Sequence, residues 1–197
     1  MQRSNSRFVI WQYAQVEGAC MLGSLQGVED SYELTNGISR AANFPDVAQF
    51  SMDPDFPDDT LLIDNLSSEG FLIVASSRLT RLVRELVPGH LECLPVSIVN
   101  HKGKIASRDY RIINPIEPID CLDLPMCLPK WGTINPESIK SVARLVLDEA
   151  KIPESRWMFR PKAFRRVTLV RRELAERIEA EKFTGVRWVE LQDYPEH

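Results

Sequence analysis

Cys20, Cys93, Cys121 and Cys127, with His90, His101 and His197, are the residues of this chain best suited to nucleophilic or metal chemistry. A cysteine nucleophile needs a base within hydrogen-bond reach and a third group that orients the base. Cys93 could draw on His90 or His101, and a small enzyme using Cys93 or Cys121 is the catalytic alternative, but the sequence supplies no trio. A zinc site from His90, Cys93, Cys121 and Cys127 lacks the closely spaced ligand pairs that such sites use. Three of the four cysteines sit beside apolar residues and read as small buried hydrophobes. Asp148 and Glu149 are adjacent, which on a strand sends them to opposite faces and spoils them as paired acids. No glycine-rich phosphate loop and no G-x-S-x-G elbow occurs. No catalytic residue, metal or cofactor is expected.

Charge is the stronger signal. The net charge is -4, but residues 1–77 hold 3 basic and 11 acidic side chains, whereas residues 78–197 hold 21 and 17. Such asymmetry points to a charged partner surface, or to two lobes that attract each other. The acidic side concentrates in residues 46–64, where Asp53, Asp55, Asp58 and Asp59 are interrupted by Pro54 and Pro57. Proline forbids a regular helix there. The stretch DPDFPDDTLLID has neither the glycine at position six nor the glutamate at position twelve of an EF-hand loop, so a solvated loop or a partner surface is preferred to calcium.

The basic side concentrates between residues 160 and 177: Arg160, Lys162, Arg165, Arg166, Arg171, Arg172 and Arg177, with Trp157, Phe159 and Phe164 close by. Basic residues with interleaved aromatics can track a nucleic-acid backbone and stack bases. Against that, the sequence pI is near 5.5, where nucleic-acid-binding domains are usually basic.

The elements that must position these groups read as mixed α and β. Strands are expected at residues 8–13, 71–75, 91–100, 110–114, 144–147, 167–170 and 186–191, with a short one at 32–34 and an extended piece at 119–124. Helices are expected at 78–86, capped by Ser76 or Ser77 and ended by Pro88-Gly89, and at 171–182, closed by Thr184-Gly185. The two strand-helix-strand units match without a gap at an offset of 95 residues: Leu72 with Val167, Val74 with Leu169, Leu79 with Leu174, Val83 with Ile178, Leu91 with Val186, and Cys93 with Trp188. The expected fold is α+β, with mixed, largely antiparallel sheets, two strand-helix-strand units and a loop-rich N-terminal lobe. One domain is expected over residues 1–197, with an acidic lobe at 1–70 and a core at 71–191. No apolar run approaches the roughly 18 residues of a membrane span, and residues 1–15 are too polar for a signal peptide, so a cytoplasmic protein without disulfides is expected.

The stretch LVLDEAKIPESRWMFRPKAF (residues 145–164), followed by VTLVRRELAERIEAEKFTGVRWVEL (167–191), resembles the C-terminal signature of a bacterial family. That signature runs through LVLDE, K-I-P, a Phe-Arg pair, a strand and helix like V-S-E-R-L, and T-G before a last strand. Upstream, SSRLTRLVREL, LECLPVSI and DYRIINP are similar too, so the likeness covers residues 64–191. The family is that of immunity proteins of polymorphic toxin systems. One departure is Val170-Arg171-Arg172 in place of Val-Ser-Glu, which removes a helix cap and adds positive charge.

The resemblance implies an antidote that binds a co-encoded, secreted toxin in interbacterial competition and blocks it without catalysis. The toxin is then the partner, nucleic acid and membrane are not, and a homo-oligomer is compatible. The candidate toxin-binding residues are Asp53, Asp55, Asp58 and Asp59, which could stand in for phosphate before a basic toxin, and Arg165, Arg166, Arg171 and Arg172. The alternative is a nucleic-acid-binding regulator using residues 160–177.

Overall fold

A computed structural model describes residues 6–87, 89–133 and 135–195. In chain order the strands are β1 (Phe8–Tyr13), β2 (Met21–Gln26), β3 (Gln49–Met52), β4 (Asn65–Ser68), β5 (Ile73–Ser76), β6 (Leu91–Val99), β7 (Ile105–Pro115), β8 (Pro129–Trp131), β9 (Ile139–Val142), β10 (Met158–Phe159), β11 (Thr168–Arg171) and β12 (Val186–Val189). The helices are α1 (Tyr32–Thr35), α2 (Ser77–Leu86), α3 (Leu124–Cys127) and α4 (Arg172–Ala180). β2 to β7 close into a six-stranded barrel in the order β2-β3-β6-β7-β5-β4. A four-stranded antiparallel sheet, β10-β11-β1-β12, stands beside it, and β8 and β9 form a separate ribbon. This is the mixed α+β architecture the sequence implied. The first 70 residues are shared out: β1 is central in the sheet of C-terminal strands, whereas β2, β3 and β4 complete the barrel.

The 95-residue echo has a structural counterpart. In the barrel β5 and β6 are parallel, joined through α2, with β7 between them and antiparallel to both. In the second sheet β11 and β12 are parallel, joined through α4, with β1 between them. The register agrees residue for residue. Val74–Ile112–Leu94 form one cross-sheet row, and Leu169–Ile10–Val189 form its equivalent. Strand alternation then sends each row to one face. Val74, Ile112 and Leu94 fill the barrel, and Leu169, Ile10 and Val189 fill a second core under the sheet.

The opposite faces carry Ala75 and Ile113 on one side and Val170 and Trp11 on the other. They share a third core with Leu79 and Val83 of α2 and Leu174 and Ile178 of α4. The two helices pack against each other, so one helical layer covers both sheets.

Several boundaries differ from expectation. Residues 32–34 form the helix α1, not a strand: Tyr32 and Leu34 are only two apart, too few to fix a period, and Asn36 N closes a helical turn on Tyr32 O at 3.1 Å. Residues 144–147 are not a strand beyond a single bridge from Leu147 to Leu122, and the regular strand is β9. Asp123 N to Val146 O and Asp148 N to Cys121 O show these residues reaching back to the 121–123 segment instead. β5 starts at Ile73, not at 71, because Gly70 and Phe71 both take positive φ in the turn before it. Ser76 is the cap of α2, accepting from Leu79 N at 3.2 Å. Pro88, expected to end that helix, lies outside the described residues.

Candidate interaction surfaces

The signature residues serve the fold itself, although Lys151, Pro153 and Thr184 among them are exposed. Ile152 of K-I-P and Phe159 are core side chains. Glu149 of LVLDE accepts from Ser6 Oγ (2.6 Å) and Arg7 Nε (2.8 Å), tying down the start of β1. Thr184 and Gly185 join the two sheets. Asp64 Oδ2 accepts from Thr184 N, and Thr184 O accepts from Asn65 N, both at 3.0 Å. Asp64 also holds Ser76 Oγ (2.8 Å) and Arg78 Nη2 (3.0 Å). Burial pushes its carboxyl upward, but the bonds from Arg78, Thr184 and Ser76 outweigh that and hold it below the usual aspartate value.

Arg160 is 1% exposed and carries no carboxylate partner among the described residues. Its Nη1 donates to the carbonyl of Arg165 at 3.1 Å. Burial pushes its guanidinium down to about 10, so it stays charged at neutral pH.

The expected basic surface is therefore divided. Arg171 is buried, donating from Nη2 to Glu154 at 2.6 Å. It occupies the cap position of α4, equivalent to Ser76, and makes no side-chain cap there. Arg172 forms a two-pronged pair with Glu190, 2.8 Å at each contact. Arg165 reaches across to Asn36 Oδ1 at 2.6 Å. Arg166 is exposed, and its guanidinium lies over the rings of Phe71 (5.3 Å) and Phe164 (5.9 Å).

The acidic loop is a built surface. Asp53 N donates to Met21 O at 2.9 Å, anchoring the loop to β2. Its carboxylate Oδ1 accepts from Asp55 N at 3.0 Å, and Asp59 N donates to Phe56 O at 3.1 Å. Asp55, Phe56 and Asp58 are exposed, and Asp53 and Asp59 are half-buried. None of the four aspartates forms an ion pair among the described residues. Arg171 and Arg172, by contrast, pair internally with Glu154 and Glu190.

Phe71 was not marked by the sequence, where it read as the first residue of a strand. The available signal was Gly70, a turn residue directly before an apolar run.

The cysteines offer little nucleophilic chemistry. Burial raises the thiols of Cys20 and Cys93 to about 11 and that of Cys121 to about 12, far from the lowered values of reactive cysteines. His101 lies in the turn beyond β6, roughly 25 Å along the strand from Cys93. His90 Nδ1 faces Glu117 at 2.9 Å. No group of three His, Cys, Asp or Glu placed to hold a metal ion occurs among the described residues. No helix among the described residues is long and apolar enough to cross a membrane.

Two sheets joined under one helical layer, with signature residues that brace the fold and an acidic loop that carries exposed Asp55 and Asp58, define an α+β protein. The immunity protein family (Imm11) matches residues 20–193, and the chain belongs to that family. No curated protein matches.

Proposed function

We propose that this immunity protein binds and neutralises one cognate toxin, encoded nearby, by covering or distorting the toxin's working surface without catalysis of its own. The observation that carries this reading is the acidic loop. It is held in a defined shape by Met21 and its own turns, and it presents Asp53, Asp55, Asp58 and Asp59 without internal cations. Residues 41–77 contain no Lys, Arg or His, so nothing in that stretch offsets the field.

Charges arranged this way speed association with a basic partner and select it. A toxin that acts on nucleic acid has such a surface, and the loop would meet it where phosphate binds. The exposed Phe56, between Asp55 and Pro57, supplies an aromatic contact among these charges. The cytoplasm is the compartment where such an encounter protects the producing cell.

The nucleic-acid reading loses support from the same geometry. Of the seven basic residues between 160 and 177, Arg160 and Arg171 are buried and Arg172 is paired with Glu190. The run that looked continuous in sequence is not a continuous surface.

The test is co-expression with the product of the adjacent gene. Recovery of growth together with a stoichiometric complex supports the reading. Toxicity that persists beside well-folded protein refutes it.

A further inference from the structure

Between the barrel and the four-stranded sheet runs a groove of about 380 Å³, at the small end of the 300–1,000 Å³ typical of ligand pockets. Tyr13 and Ser68 line it, with Phe71, Arg166, Val167 and Tyr194. Phe71 is its unusual member. It sits in the turn between β4 and β5, directly after Gly70 (φ 82°), and takes φ 59° itself. Glycine is the ordinary occupant of such a position, because a Cβ there crowds the following carbonyl oxygen.

Phe71 is also 59% exposed. The chain thus combines a left-handed backbone with a largely exposed aromatic ring at one residue. Strain of this kind concentrates where a residue serves a ligand. Arg166 lies over the ring and has no carboxylate partner among the described residues. Arginine and aromatic side chains, Phe included, are enriched at the cores of protein interfaces.

We infer that this groove receives an apolar side chain of the toxin, flanked by a toxin carboxylate that pairs with Arg166. The occupant's charge follows from Arg166, which is left to be matched from outside. The inference rests on the toxin-binding reading and extends it to a second contact of opposite sign. The two contacts are close. Met21 pairs with Ser67, at the groove wall, on one side and receives Asp53 N on the other. That places the acidic loop about two strand spacings, roughly 10 Å, from the groove. One partner face of ordinary size, about 800 Å² per side, spans both. A toxin with a basic patch beside an acidic-apolar knob is matched twice, which a simple polyanion or polycation cannot do.

The experiment is calorimetric titration of wild type, Phe71→Gly, Arg166→Glu and Ile105→Ala against the toxin domain encoded next to this protein, with a melting curve for each. Ile105 is exposed at the start of β7, eight residues from the Ile113 that pairs with groove residue Ile73. Phe71→Gly relieves the backbone strain, so its melting temperature should hold or rise. Its Kd, and that of Arg166→Glu, should rise at least about tenfold, while Ile105→Ala stays within about twofold of wild type. Unchanged Kd in both groove variants overturns the groove and leaves the toxin-binding reading standing. No binding by wild type overturns that reading, and the groove with it.

Discussion

Asn65 Nδ2 donates to the carbonyl of Gly185 at 2.7 Å, and the carbonyl oxygen of Asn65 would lie 2.2 Å from a Cβ placed on Gly185. Barrel and sheet meet here through backbone, with no room for a side chain. Gly185 also has φ 79°. Gly185→Ala should therefore cost at least about 2 kcal/mol through clash and backbone strain together. Chemical denaturation checks this. A loss under about 0.5 kcal/mol, the range of neutral surface changes, would mean the junction is not tight.

Glu92 is a second brace, and a titratable one. It is buried on β6 and accepts from Ser39 Oγ (2.5 Å), Arg40 N (3.0 Å), Ala41 N (3.0 Å) and Asn114 Nδ2 (3.2 Å). Burial raises its carboxyl, but the bonds from Arg40, Ser39, Ala41 and Asn114 outweigh burial and hold it below the usual glutamate value. The folded state therefore prefers the carboxylate. That stabilisation is complete above the unfolded glutamate value of about 4.3 and fades as pH falls through the lower folded value. Glu92→Gln should lose about 1–3 kcal/mol at pH 7 and flatten the acid limb of the stability profile. An unchanged limb would contradict the assignment.

Leu79 and Leu174 occupy equivalent places in the two repeated units and are both fully buried in the shared helical layer. Replacing either with Ala should cost about 2–5 kcal/mol. Because both line one core, the double variant should fall short of the sum by more than about 0.5 kcal/mol. Strict additivity in a double-mutant cycle would show two independent cores.

Changing Asp53, Asp55, Asp58 and Asp59 together to Asn should leave stability nearly unchanged, since their side chains make no ion pair among the described residues. Toxin affinity should fall, chiefly through a slower on-rate, and its salt dependence should flatten. Equal affinity across salt concentrations before and after the change would remove the loop from the interface.

Where local pattern decides structure, the sequence was legible. β1 spans the expected residues 8–13, and the helix expected at 78–86 is α2 (Ser77–Leu86), capped by Ser76. The 95-residue match was visible too, because register fixes which side chains meet. Other features depend on distant partners. The central place of β1 between β11 and β12 cannot be read from FVIWQY. The fate of Arg171 depends on Glu154, seventeen residues away, so a basic run in sequence became a set of internal braces. Phe71 was hidden for a related reason: the turn at Gly70 moved it out of the strand and into solvent.

The most direct measurement is a titration of the neighbouring toxin's activity with purified protein at a toxin concentration far above Kd. Neutralisation by binding predicts a straight fall to zero activity at one equivalent, with activity returning when the complex is separated. Full inhibition at a small fraction of an equivalent would contradict a non-catalytic mechanism. No inhibition at large excess would contradict the antidote itself.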